Sequence, residues 1–201
     1  MSSSPRLLLL GQQYCEQIQK ETPLSSDGSL DEATLDLIVA LCNQGSLLSE
    51  QSDIQKSIEP IREAISLAKQ KTEKHPRNSI YRTRLISALT QLGKLLSKTG
   101  DRNAQHGCFR EAQEQAAKLT EIFPSSEDYQ RNSVNATYNL GVSAKVVGDQ
   151  HTLHACIKTL NAIERVWLRN NSCDISVIRH QIQALESSTI TKDFAVWERR
   201  Q

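Results

Sequence analysis

Histidine and cysteine are the side chains here with the softest ligand chemistry, and two short stretches bring them together: His151-x-x-His154-x-Cys156 and His106-x-Cys108. Imidazole nitrogen and thiolate sulfur are the usual donors to zinc, and a closed structural site uses four of them. Residues two apart on a helix point about 200° away from each other, so each histidine and its cysteine cannot hold one ion. His151 and His154 share a face, but two ligands leave a site incomplete, and no metal or cofactor is expected. Ser66-x-x-Lys69 has the string of a β-lactamase-type nucleophile, yet it lies inside a helical pattern without an S-D-N or K-T-G partner. Gly93-Lys94 lacks the glycine-rich loop that cradles a phosphate and is better read as close helix packing beside a surface lysine. Glu111 and Glu114 read as a solvated helix face and not as an acid–base dyad. No catalytic constellation emerges, and the chain is expected not to be an enzyme.

Composition narrows the partners. The 201 residues carry 24 basic and 23 acidic side chains, a formal charge of +1, which gives no net field for a polyanion. Nucleic acid is therefore not an expected partner. Hydrophobic residues make up 38% and aromatics only 4%, enough for a core but without the β-branched and aromatic runs of a sheet. The five cysteines, Cys15, Cys42, Cys108, Cys156 and Cys173, are odd in number and scattered, as reduced thiols in a cytosol are. Only Leu7 to Leu10 are apolar in a row near the start, too short for a secretory signal, and nothing approaches the ~20 apolar residues of a membrane helix. A cytoplasmic chain with no membrane contact is expected.

The elements that would position any site follow from an internal period. Gly45, Gly93 and Gly141 are 48 residues apart, and so are Asp53, Asp101 and Asp149. Ala40, Ala88 and Ala136 share the step, which also links Pro76 to Pro124, Tyr81 to Tyr129 and Gly100 to Gly148. Within a period the apolar spacing is helical: Leu85, Leu89, Leu92 and Leu96 form one stripe, and Phe109, Ala112, Ala116, Leu119 and Phe123 another. Gly100 can take the left-handed conformation that ends one helix, and Asp101 can cap the next. A proline stop at Pro124 and the capping residues Ser125 and Ser126 then start another hairpin. Helices are predicted over 32–50, 54–74, 79–98, 102–122, 127–147, 150–170 and 174–187, with a kink or a later start where Pro60 removes a backbone donor.

A single hairpin cannot cover its apolar stripe on both sides, and stacking the next one supplies the cover. The expected fold is all-α, a right-handed α-solenoid of antiparallel helix hairpins with a 48-residue period. Residues 1–29 read as a partial hairpin and connector, 30–187 as about three hairpin repeats (30–77, 78–125, 126–173) with a following first helix, and 188–201 as a tail or cap in which Phe194 and Trp197 fold back.

Asn139-Leu140-Gly141 followed by Gly148-Asp149, and Leu92-Gly93-x-x-Leu96 followed by Gly100-Asp101 and Gln105-x-x-x-Phe109, resemble tetratricopeptide repeats. The usual period of that family is about 34, so each helix here would carry about two extra turns. Leu89 and Thr137 stand where the family has an aromatic, and Gln44 replaces its leucine. The long period, with Tyr81-Arg82 opening one hairpin and Ile122-Phe123-Pro124 closing it, is similar to the C-terminal repeat regions of planctomycete serine/threonine kinases. The sequence has no G-x-G-x-x-G and no H-R-D, and its one D-F-x is Asp193-Phe194-Ala195, so a kinase label describes relatives only.

In repeats of this kind the first helix of each hairpin lines a concave groove where a peptide lies. Its polar residues project as Asn43 and Ser46, then Gln91, Lys94 and Lys98, then Asn135, Tyr138, Asn139 and Lys145. Ammonium and amide donors of this kind suit an acidic peptide or a carboxylate. The expected function is a non-catalytic scaffold that binds a peptide or protein partner in the groove. The alternatives are a structural module self-associating through its terminal repeats, with Ile178, Ile182 and Leu185 exposed to a second copy, or a remnant of a kinase-linked repeat protein.

Overall fold

The computed structural model describes residues 32–50, 53–169 and 175–187. Its elements there are helices and the turns that join them: α1 Glu32–Glu50, α2 Ile54–Lys74, α3 Ser79–Thr99, α4 Arg102–Ile122, α5 Glu127–Val147, α6 Gln150–Arg169 and α7 Ile175–Glu186. The chain is all-α over this span, and no strand occurs among the described residues.

The boundaries fall where the capping chemistry puts them. Asp53, Asp101 and Asp149 each sit just ahead of a helix, and each carboxylate accepts from the backbone N–H three residues on, Lys56, Ala104 and Thr152, at 3.3, 3.1 and 3.0 Å. Asn78 and Ser126 cap α3 and α5, their side-chain oxygens accepting from the backbone N–H of Ile80, two residues on, and of Tyr129, three residues on. Gly100 and Gly148 close α3 and α5 with φ of 81° and 79°, the left-handed region in which a side chain would be strained. At the far ends of α2 and α4, His75 and Phe123 donate back to Lys71 and Leu119, and a proline follows each. Of the kink or later start expected at Pro60, the later start does not occur. Helix α2 begins at Ile54 and carries Pro60 in its second turn, where the carbonyl of Lys56 goes without its intrahelical donor.

Consecutive helices pack against each other along the whole chain. In addition α1 packs on α3 and α5 on α7, whereas the step from α3 to α5 is more open. Close approach depends on three mid-helix glycines. A Cβ on Gly45 would sit 2.5 Å from Ile61, one on Gly93 2.6 Å from Phe109, and one on Gly141 2.7 Å from Leu185. The core falls into two clusters. Ile38, Ile61, Leu85, Leu89 and Leu119 belong to the first, and Phe109, Val134, Leu160, Trp167 and Ile178 to the second.

The last helix corrects one expectation. Ile178, Ile182 and Leu185 do not face outward for a second copy; all three are buried in the second core cluster, with Leu185 closing over Gly141. Turning its apolar side inward leaves Val177 as the exposed large hydrophobic residue of α7. Cys15, Cys173, Phe194, Trp197, the partial hairpin 1–29 and the cap 188–201 lie outside the described residues. No described helix is long and apolar enough to cross a membrane.

Candidate partner-binding groove

The stripe on α3 that reads Arg84, Ser87, Gln91, Lys94 has the 3, 4, 3 spacing that keeps residues on one helix face, and Asn132, Asn135, Asn139 repeat it on α5. With Asn43 and Cys42 from α1 they line a concave cleft of about 500 Å³ over the open step between α3 and α5. Among the described residues its walls carry two cations, Arg84 and Lys94, five amide side chains, and no aspartate or glutamate.

Of the residues singled out from sequence, Asn43, Gln91, Lys94, Asn135, Tyr138 and Asn139 line this cleft. Their roles differ. Gln91 braces α3 to α1, its Nε2 donating to the carbonyl of Cys42 at 3.1 Å and to Ser46 Oγ. Asn135 is exposed, and its Oδ1 accepts from Gln181 Nε2 of α7 at 3.2 Å. Tyr138 and Asn139 are almost fully buried, so they form the floor and not a displayed rim. Lys98 is exposed at the end of α3 and is not among the lining residues. Lys145 is also elsewhere: its Nζ donates to the carbonyls of Ala184 and Ser187 and so closes the C-terminus of α7. Arg84 and Asn132 were missed by the sequence reading, although the same helical spacing extended by two turns from Gln91 and by one turn from Asn135 reaches both.

Cys42 adds no reactivity to the cleft. Burial pushes its thiol up to about 11, against the smaller opposing pull of the Arg84 guanidinium, so it is protonated at neutral pH. Cys108 and Cys156, unpaired like Cys42, are pushed up to about 11 chiefly by burial as well.

A second concentration of polar groups lies between α4, α5 and the start of α6. His106 Nδ1 is 2.8 Å from Ser143 Oγ, and His106 Nε2 is 2.9 Å from Arg110 Nη2 and 3.6 Å from Asp149 Oδ2. The residue types are those of a hydrolytic triad, but the geometry is not. Ser143 is fully buried and its hydroxyl donates to the carbonyl of Leu140 at 2.8 Å, so its proton is not offered to the imidazole and no substrate reaches the oxygen. No group of three His, Cys, Asp or Glu side chains that could hold a metal occurs among the described residues, the His106 and Cys108 pair included.

A wider, mostly apolar depression of about 690 Å³ lies on the side of α5 and α6, with Ile163, Val166 and Trp167 among its walls. One hairpin earlier Arg82 occupies the corresponding space, bonding the carbonyl of Pro76 at 2.9 Å and Gln115 of α4. Gln130, 48 residues on, reaches the carbonyl of Pro124 but is shorter, and Ile163 replaces Gln115.

Neither protein-family models nor curated proteins match the chain.

Proposed function

We propose that this chain is a right-handed, tetratricopeptide-like solenoid of 48-residue hairpins, and a non-catalytic scaffold that binds a peptide or protein partner in the cleft formed by α1, α3 and α5. The observation that supports this reading most is the chemistry of the cleft: cations and amides on adjacent helix faces, with no carboxylate among the described lining residues. An extended acidic peptide offers backbone groups to the amides and side-chain carboxylates to Arg84 and Lys94. Local complementarity of this kind is compatible with a chain whose formal net charge is only +1, because the field inside a concave wall is set by its nearest charges.

Fluorescence polarisation with a labelled Asp- and Glu-rich peptide, and with a Lys-rich peptide of equal length, tests the reading on the full chain. The acidic peptide should bind and the basic one should not. Arg84→Glu with Lys94→Glu should weaken binding by about tenfold or more, and raised salt should weaken the wild type. Lys145→Glu on α5, which removes the donor to the carbonyls at the end of α7, should act on stability and leave the peptide affinity of the folded fraction unchanged. Equal affinity for both peptides, or no loss in the double variant, removes the groove reading.

A further inference from the structure

His106 is buried, lies away from the cleft lining, and has its two ring nitrogens committed to different helices. Its tautomer follows from its neighbours. Arg110 Nη2 can only donate, so Nε2 is the acceptor, Nδ1 carries the hydrogen, and Ser143 Oγ accepts it while the hydroxyl's own hydrogen goes to Leu140 O. The lone pair on Nε2 then accepts from the Arg110 guanidinium. The imidazole is neutral in this arrangement. A proton arriving at Nε2 turns that contact into two donors face to face. The acceptor waiting beside it is Asp149 Oδ2, 3.6 Å from Nε2 and 3.9 Å from Arg110 Nη2, on a carboxylate already fixed by Thr152, whose backbone N–H donates to Oδ1 and whose hydroxyl donates to Oδ2.

The same joint one period earlier is built without this chemistry. Positions 58 and 95 correspond to 106 and 143 and hold isoleucine and leucine, both buried in the first core, while Arg62 and Asp101 correspond to Arg110 and Asp149. An apolar contact therefore suffices to join two of these hairpins, and the histidine and serine are an addition to a joint that packs without them.

We propose that His106 is a proton-operated latch between the second and third hairpins, holding Ser143 and Arg110 when neutral and exchanging Arg110 for Asp149 when protonated. The charged groups facing the ring are Arg110 from its own helix and Asp149 from the start of α6; α5 contributes the neutral Ser143. Burial and the Arg110 guanidinium hold the imidazole below its ordinary 6.5, against the opposing pull of Asp149. The folded chain therefore binds fewer protons than the unfolded chain just below pH 6.5, and the latch loses stability as pH falls through that window. Above it the contribution is complete.

Two measurements on the full chain test the latch. Long-range proton–nitrogen spectra should show His106 as the Nδ1–H tautomer at neutral pH, titrating below 6.5. Its midpoint should move further down in Asp149→Asn, which keeps the helix cap, and up in Arg110→Gln. The double substitution His106→Ile with Ser143→Leu rebuilds the earlier joint and should fold. Its fall in unfolding midpoint between pH 7.5 and pH 5.0 should be smaller than the wild type's by about 2–4 °C. An Nε2–H tautomer, a midpoint at or above 6.5, or equal pH responses in wild type and double variant would overturn the proposal; if the double variant does not fold, the spectra alone decide.

Discussion

A glycine in mid-helix costs conformational entropy, so its presence asks what its missing side chain makes room for. At Gly93 the answer is the Phe109 ring, which is fully buried and cannot swing aside. Gly93→Ala is expected to destabilise by about 1–2 kcal/mol, overpacking outweighing the gain in helix propensity. Gly107 has nothing within 4 Å of a built Cβ, and Gly107→Ala should stabilise by about 0.5–1 kcal/mol; denaturant melts of the two variants should move in opposite directions. The cysteines give a second expectation at this scale. With thiols near 11, Cys42, Cys108 and Cys156 should alkylate at pH 7.5 at least about tenfold more slowly than a model thiol, read peptide by peptide in a mass spectrometer.

Helix ends were the most legible part of the chain, because capping is local chemistry. Aspartate at 53, 101 and 149 and glycine at 100 and 148 each act on groups within a few residues, and the predicted boundaries agree with the observed ones to within a residue. What could not be read was any pairing between helices, which depends on how each is rotated against its neighbour. Lys145 has the type and face of a groove residue, yet it is spent on carbonyls 39 and 42 residues away. Tyr138 and Asn139 lie on the right face but sink to its floor, and the His106–Ser143 pair spans 37 residues. Lys145→Met should release the end of α7, losing about 1–2 kcal/mol of local protection for charge-assisted hydrogen bonds. Hydrogen exchange in 175–187 should rise in this variant while α3 is unchanged.

For the molecule as a whole, acid acts in two separate windows. His106 responds first, below 6.5, and the capping carboxylates follow much later. Asp53 is held below its ordinary 3.8 by Lys56, and Asp149 by the Thr152 hydroxyl and backbone N–H, so both caps persist until pH falls below about 3.8 and are then lost as the carboxylates protonate. Helix content by circular dichroism should stay high through the first window and fall in the second. On the proposed reading of the chain as an array of 48-residue hairpins, the His106 joint also bears on how it could lengthen by gene duplication. Copying 30–77 in tandem would bring Ile58 of one copy to Leu47 of the next, two hydrocarbon side chains that tolerate each other. Copying 78–125 would bring His106 to Leu95, which offers the Nδ1–H no acceptor in a buried seam. On that reading the units would not be interchangeable beads: this one joint would encode their order, and an array grown by unequal crossing-over would be tolerated ahead of the second hairpin and selected against just after it.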